Sequence, residues 1–482
     1  MSSKKYLVLL ALCSTSLFSY AKQDLVTSYV LYAQNQQGET VALLRTIQQS
    51  LNANCPIPLI DNLPGNKLIM QVRENPSEKD FPITVCEAIY PKNTQLYLTD
   101  KALLKPSYNS ENIAVLGDSG CKSSKQDCTL NSDNWFFNTL ADIAASTQPN
   151  VVLHMGDYNY SGTPGSIKIQ GLNNKVQVYD AGDNTTQGMC KIAGPYYGQN
   201  SEGSDFRDSW KHWQQDFFAP AKNLLNSTPW VFARGNHELC SRAGEGWFYL
   251  LDSNSSLLGK YVKQLSCPKA NNPSPTVFSQ PFALNLDTAN ILVLDSTNAC
   301  DSGLLNVEQY QNQFQLAKRM LKTLPEGFNI LQTHRPMFAF DELAKVGACG
   351  DSSNNNLCPM SQTLQQANSL TGLTDELQLI VSGHMHRFQS VNFDNAKLPA
   401  QLVVGTSGVS LAGNFPKQAT QLQAQGQNTY VNGISDYGYL KLQIPTAIHA
   451  KKDTWSAQLI SKESATLMNC QPGGNQLCKA PQ

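Results

Sequence analysis

Residues 151–160 read VVLHMGDYNY, an apolar run that stops at Gly156-Asp157 and is followed three residues later by Tyr160. A run this short, bounded by turn residues, fits a buried parallel strand. In open α/β sheets, ligands collect just beyond the carboxyl ends of such strands. Asp157 and Tyr160 therefore stand where chemistry is usually placed.

The same arrangement recurs on both sides of this stretch. NIAVLGDSG at 112–120 ends in Gly117-Asp118-Ser119-Gly120, and PWVFARGNHE at 229–238 ends in Gly235-Asn236-His237-Glu238. NILQTH at 329–334 ends in His334, and LIVSGHMH at 379–386 ends in Gly383-His384-Met385-His386. Each motif alone is weak; Gly182-Asp183 and Gly350-Asp351 follow no apolar run and are ordinary turns. The order Gly-Asp, Gly-Asp, Gly-Asn-His-Glu, His, Gly-His-x-His, each after an apolar run, is a far sharper signal. His154 lies inside its run and is expected to be packed and hydrogen-bonded. Asp295, at the end of 291–295, is expected to be structural, and His212 and His449 to lie on the surface.

Composition limits the partners. The 482 residues carry 36 Lys and Arg against 37 Asp and Glu, a formal net charge of −1, so no basic stripe is available for a nucleic-acid backbone or an anionic membrane surface. Lys4 and Lys5 precede an apolar stretch from Tyr6 to about Leu12, and Ser19-Tyr20-Ala21 supplies small residues where a signal peptidase reads, so residues 1–21 are expected to be a cleaved export signal. No later run approaches the ~18 apolar residues of a membrane helix, and no membrane anchor is expected. Removing Cys13 with the signal leaves 13 − 1 = 12 cysteines, an even number suited to disulfides in an oxidising compartment. Cys121/Cys128, Cys349/Cys358 and Cys470/Cys478 are close enough to staple local loops, and Cys55/Cys86 suits a tie within the N-terminal region. The zinc alternative lacks a C-x-x-C pair. The mature protein is expected to be exported, periplasmic or secreted.

Along the chain, residues 22–110 form a small β-rich N-terminal domain with one helical candidate, Val41 to Leu51, and a proline-marked linker at Pro106 to Glu111. Residues 111–482 alternate strands with helical stripes: Phe136, Leu140, Ile143 and Ala144; Phe206, Trp210, Trp213 and Phe217; Tyr310, Phe314, Ala317 and Leu321. This alternation implies an α/β layered sheet. Gln401 to Gly405 and Tyr437 to Ile444 are expected to be strands closing a second sheet. An insertion at about 161–202 breaks the rhythm; it either overhangs the site or is a surface loop pinned through Cys190.

These motifs resemble those of the calcineurin-like metallophosphoesterases, and Tyr160 beside Gly156-Asp157, with Gly117-Asp118-Ser119-Gly120, resembles the purple acid phosphatase branch. The likeness covers about Ile113 to Phe388. It implies a sandwich of two mixed sheets flanked by helices, with the β-rich N-terminal domain attached. It also implies a dinuclear metal centre. The first metal would be bound by Asp118, Asp157, Tyr160 and His386, the second by Asp157, Asn236, His334 and His384, with Asp157 bridging. Two carboxylates and a tyrosinate suit Fe(III), whereas two imidazoles and an amide oxygen suit divalent Zn, Fe or Mn. Free tyrosine titrates near ~10, so it ligates as an anion only beside a strong charge.

The reaction so implied is hydrolysis of a small phosphomonoester by a metal-held hydroxide, with metals about 3.5–4 Å apart clamping the phosphoryl group. His237 would touch the phosphoryl oxygens and protonate the leaving group, oriented by Glu238. The chain departs from the branch in one respect: no histidine lies between Arg335 and Gly383. Arg335 or a residue of the insertion is expected to take its part. The alternatives are a phosphodiesterase or nucleotide pyrophosphatase on the same fold and, from another class, a non-catalytic secreted binding protein. No motif sets an oligomeric state.

Overall fold

The computed structural model describes residues 25–160 and most of 208–481, with the backbone alone at 167–170 and 176–179. The expected signal at 1–21, most of the insertion, Cys190, Cys349, His449 and both polar-loop Gly-Asp pairs lie outside the described residues.

Two large mixed sheets face each other. In the first, of eleven strands, the centre is parallel: Leu25–Gln34, Trp230–Phe232, Val151–His154 and Asn112–Leu116, in that spatial order. In the second, of eight, the parallel centre runs Ala289–Leu294, Phe328–Thr333, Leu379–Ser382 and Ala400–Val404. Side chains alternate across each strand, so one set from each sheet meets in the middle. Val115, Leu153 and Val231 pack there with Ile291, Ile330, Val381 and Leu402.

The other set points outward and must also be covered, which is why these strands read as continuous apolar runs. Ala114, Leu116, Val152 and Phe232 pack with the helix Phe137–Ser146 and the turn Trp247–Leu251. Leu292, Leu331 and Ile380 pack with the helix Val307–Thr323, whose buried stripe is Tyr310, Phe314, Ala317 and Leu321. Each such large side chain contributes about 1.5–3 kcal/mol on burial. The result is a helix–sheet–sheet–helix sandwich.

Two expectations are corrected. The helical candidate at Val41 to Leu51 is the strand Thr40–Gln48, buried along its whole length and bonded on one side to Leu25–Gln34 and on the other to Thr84–Ile89. Burial on both faces removed the period-two signal that would have marked it, while the β-branched Val41, Thr46 and Ile47 suit the pleat. Gly438–Gln443 does not close the second sheet. It pairs antiparallel with Asn112–Leu116 in the first.

The strands of the N-terminal region therefore continue the sheet that carries the Gly-Asp motifs. A buried ionic cluster fixes them there: Glu87 Oε2 accepts from Arg45 Nε at 3.1 Å and Arg73 Nη1 at 2.7 Å. The two guanidinium groups also donate to the carbonyls of Phe248, Tyr249, Leu250 and Asp252. These are buried carbonyls at and just past the end of the Trp247–Leu251 turn, where the last carbonyls lack partners within it. Disulfides join Cys55–Cys86, Cys121–Cys128 and Cys470–Cys478, as the spacings implied, and Cys240–Cys267 besides. Cys300 and Cys358 are disulfide-bonded as well. Among the described residues, no helix is long and apolar enough to cross a membrane.

Candidate metal centre

The carboxyl ends of the parallel strands open at one edge of the sandwich. The strand Asn112–Leu116 delivers Asp118; Val151–His154 delivers Asp157 and Tyr160; Trp230–Phe232 delivers Asn236; Phe328–Thr333 delivers His334; and Leu379–Ser382 delivers His384 and His386. Turning the chain so sharply requires unusual backbone: Asp118, Asp157, His384 and His386 all lie at positive φ, between 49° and 76°. Gly156, at φ +101°, leaves no room for a side chain, because a Cβ there would stand 2.6 Å from the nitrogen of Gly235.

Two groups of donors form, and Asp157 belongs to both. On one side Tyr160 Oη lies 2.7 Å from Asp157 Oδ2, 2.9 Å from His386 Nε2 and 3.4 Å from Asp118 Oδ1. On the other, His334 Nε2 lies 3.3 Å from Asp157 Oδ1 and 2.8 Å from Asn236 Oδ1, which is 2.9 Å from His384 Nδ1. The Nδ1–H of His334 donates to the Met155 carbonyl at 2.8 Å, which leaves its Nε2 lone pair facing the donors.

This donor set fits a pair of metal ions. Burial pushes Asp118 up to about 8, with His334 pulling it back and Asp157 adding to the rise. Burial alone would lower His334, but Asp157 beside it outweighs that and holds it at about 9. Crowded buried acids and imidazoles of this kind are the groups that a bound cation holds ionised or neutral. Burial, together with Asp157 and Asp118, raises the Tyr160 phenol well above its usual range. Only a strong cation would turn it into an anionic ligand.

Around the donors sit residues that fix them. Glu238 accepts from the backbone N–H groups of Gly235, Asp157, Tyr158 and Asn159, so its carboxylate clamps the Asp157 turn to the Asn236 turn. The orienting role expected of it toward His237 has no counterpart among these bonds. His237 is half-buried, its ring 3.8 Å from that of Tyr160, and its backbone N–H donates to Asp157 Oδ1 at 2.9 Å. His154, fully buried, donates from Nε2 to Ser119 Oγ at 2.9 Å and accepts from Gly156 N at Nδ1, 3.2 Å away. It ties together the turns after Asp118 and before Asp157, in keeping with the packed role expected of it. Asp295 accepts from Ser279 N, Thr297 N and Arg234, a structural set.

Two residues emerge that strand-end reasoning passed over. Asp301 Oδ2 lies 2.9 Å from His384 Nε2, and Asp216 Oδ2 accepts from Tyr160 N at 3.0 Å. Asp301 follows Ala289–Leu294, which is parallel to Phe328–Thr333, so it opens on the same edge as the other donors. Arg335 is only 2% exposed, is held by Asp301 and lies beside His384.

Comparison with known proteins agrees with this architecture. No curated protein matches the sequence. A solved purple acid phosphatase, PPD1 from yellow lupin (Lupinus luteus) seeds, superimposes with a TM-score of 0.52 at 12% identity, covering 95% of this chain and 74% of that one. GAP50, described as the anchor in the inner membrane complex of Plasmodium, aligns with a TM-score of 0.38 at 12% identity, over 76% of this chain and 89% of that one. The family model for calcineurin-like phosphoesterase matches residues 112–388, the span that holds every strand-end donor described above. The chain belongs to the calcineurin-like phosphoesterase family and is a metal-dependent phosphoric ester hydrolase.

Proposed function

We propose that the protein is an exported phosphatase that hydrolyses small phosphomonoesters at a dinuclear centre of purple acid phosphatase type. The observation that carries this reading is the division of Asp157, whose Oδ2 faces Tyr160 at 2.7 Å and whose Oδ1 faces His334 at 3.3 Å. One carboxylate serving two donor groups is the arrangement that a bridged metal pair needs. Asp118, Tyr160 and His386 with Asp157 would hold Fe(III); Asn236, His334 and His384 with Asp157 would hold divalent Zn, Fe or Mn. Such a pair, when bound, polarises phosphoryl oxygens and lowers the pKa of water by many units.

The chain's own groups do the rest. His237, half-buried beside Tyr160, presents an imidazole to a phosphoryl oxygen or the leaving oxygen. Glu238 keeps the Asp157 and Asn236 turns in register and so maintains the distance between the two donor groups. The disulfides, with the signal-like residues 1–21, support export.

The test is hydrolysis of a chromogenic monoester beside the matching diester by the metal-loaded protein across pH. Faster monoester cleavage with a mildly acidic optimum is expected. Faster diester cleavage would move the assignment to a phosphodiesterase or nucleotide pyrophosphatase. Two variants test the centre itself. Asp157→Ala is expected to remove both metals, measured as metal equivalents per chain; retention of two equivalents would contradict the bridge. Tyr160→Phe is expected to abolish a visible tyrosinate-to-iron absorption band, and a band that persists would sink the assignment of Tyr160 to iron.

A further inference from the structure

Asp301 belongs to none of the sequence motifs, yet it is the carboxylate nearest to the outer nitrogen of His384. The loop that carries it follows the strand Ala289–Leu294 and precedes the helix Val307–Thr323. Its side chain is 1% exposed, and Oδ2 meets both His384 Nε2, at 2.9 Å, and the Arg335 guanidinium. Arg335 Nη1 in turn lies 2.8 Å from the same His384 nitrogen.

These contacts allow two proton arrangements. With the proton on Nδ1 of His384, Arg335 donates to Nε2, and the nitrogen facing Asn236 has no lone pair to offer. With the proton on Nε2, His384 donates to Asp301, Arg335 donates to the same carboxylate, and Nδ1 is open toward Asn236 Oδ1, 2.9 Å away. A carboxylate decides in favour of the second arrangement, because it accepts from both donors and neutralises the guanidinium that would otherwise compete.

We propose that Asp301 is a positioning residue for the second metal, with Arg335 as its counter-ion: the pair selects the His384 tautomer whose Nδ1 lone pair faces the ion. This rests on the dinuclear reading above. It also gives Arg335 a duty other than standing in for the histidine absent between Arg335 and Gly383.

The experiment is a zinc titration of the full-length protein after its first-site iron has been counted by elemental analysis, with Asp301→Asn and the double variant Asp301→Asn/Arg335→Gln. The double variant leaves no unpaired buried charge and so guards against simple misfolding. Both are expected to bind zinc about 10–100-fold more weakly than wild type, with iron content and thermal midpoint of the double variant retained. Unchanged zinc affinity in both would overturn the proposal. So would recovery of wild-type affinity in the double variant, since Asp301 would then matter only through Arg335. Loss of iron together with zinc in the double variant would assign the pair to the fold instead. Wild-type protein that takes up iron but no zinc, iron(II) or manganese would overturn both this role and the dinuclear reading, a result seen before any variant is made.

Discussion

Asp118, Asp157, His384 and His386 hold left-handed backbone that most side chains avoid, and each costs on the order of 1–3 kcal/mol. The strain persists because neighbouring groups over-determine it: Glu238 accepts the amides of the Asp157 turn, and Asp118 Oδ2 accepts the His384 amide at 2.8 Å. Gly156 is the weakest point of this arrangement to a new atom. Gly156→Ala is expected to lower the thermal midpoint and to release metal together, because the added carbon meets Gly235 N and displaces Asp157. Differential scanning calorimetry with elemental analysis checks both; a stable variant with full metal content would refute the steric argument. Asp118, Asp157, Tyr160, Asn236, His334, His384 and His386 were legible because each closes an apolar run, a local pattern. Asp301 and Asp216 were not, since what matters about them is a contact made across the fold.

Among the secondary elements, the helix Val307–Thr323 announced itself through one apolar stripe, whereas Thr40–Gln48 did not, being buried on both faces. That strand's Arg45 shares the buried Glu87 with Arg73. Burial pushes the Glu87 carboxyl up, but the two arginines outweigh it and hold it below its ordinary 4.5. A carboxyl depressed in the fold stabilises above its unfolded pKa, and that stability is lost as pH falls through the folded pKa. Urea midpoints are therefore expected to drop as the solution is acidified below that ordinary value. Glu87→Gln is expected to lose about 3–5 kcal/mol near neutrality, with a shallower acid dependence than wild type. An unchanged acid slope would show that other carboxyls govern it.

Among the described residues, the first strand and the last four all belong to the first large sheet: Leu25–Gln34 lies beside Trp230–Phe232, and Gly438–Gln443, beside Asn112–Leu116, leads on to Ser456–Ser461, Thr466–Cys470 and Cys478–Lys479. The family's layered fold could be inferred from the alternation of strands and helical stripes, but the path of residues 25–102 into the same sheet could not, because strand pairing at such separation leaves no local mark. Removing residues 25–102 would bare the edge at Trp230–Phe232 and the carbonyls at Phe248–Asp252, so the shortened chain is expected to show no cooperative unfolding transition in calorimetry. Opening Cys55–Cys86, which closes a 31-residue separation, is expected to cost about 2–5 kcal/mol, read from urea midpoints of a double Cys→Ala variant. Pairings this distant also set the timing of assembly. The donors span Asp118 to His386, and the first of the two sheets that orient them is closed by strands reaching Lys479. Residues through Lys479 must be made before that sheet can close around the centre, and non-local β pairing is slow in any case. A chain threaded outward while still unfolded would thus meet its ions only after crossing, and the metals it carries would record the supply on the far side of the membrane instead of that of the cytoplasm.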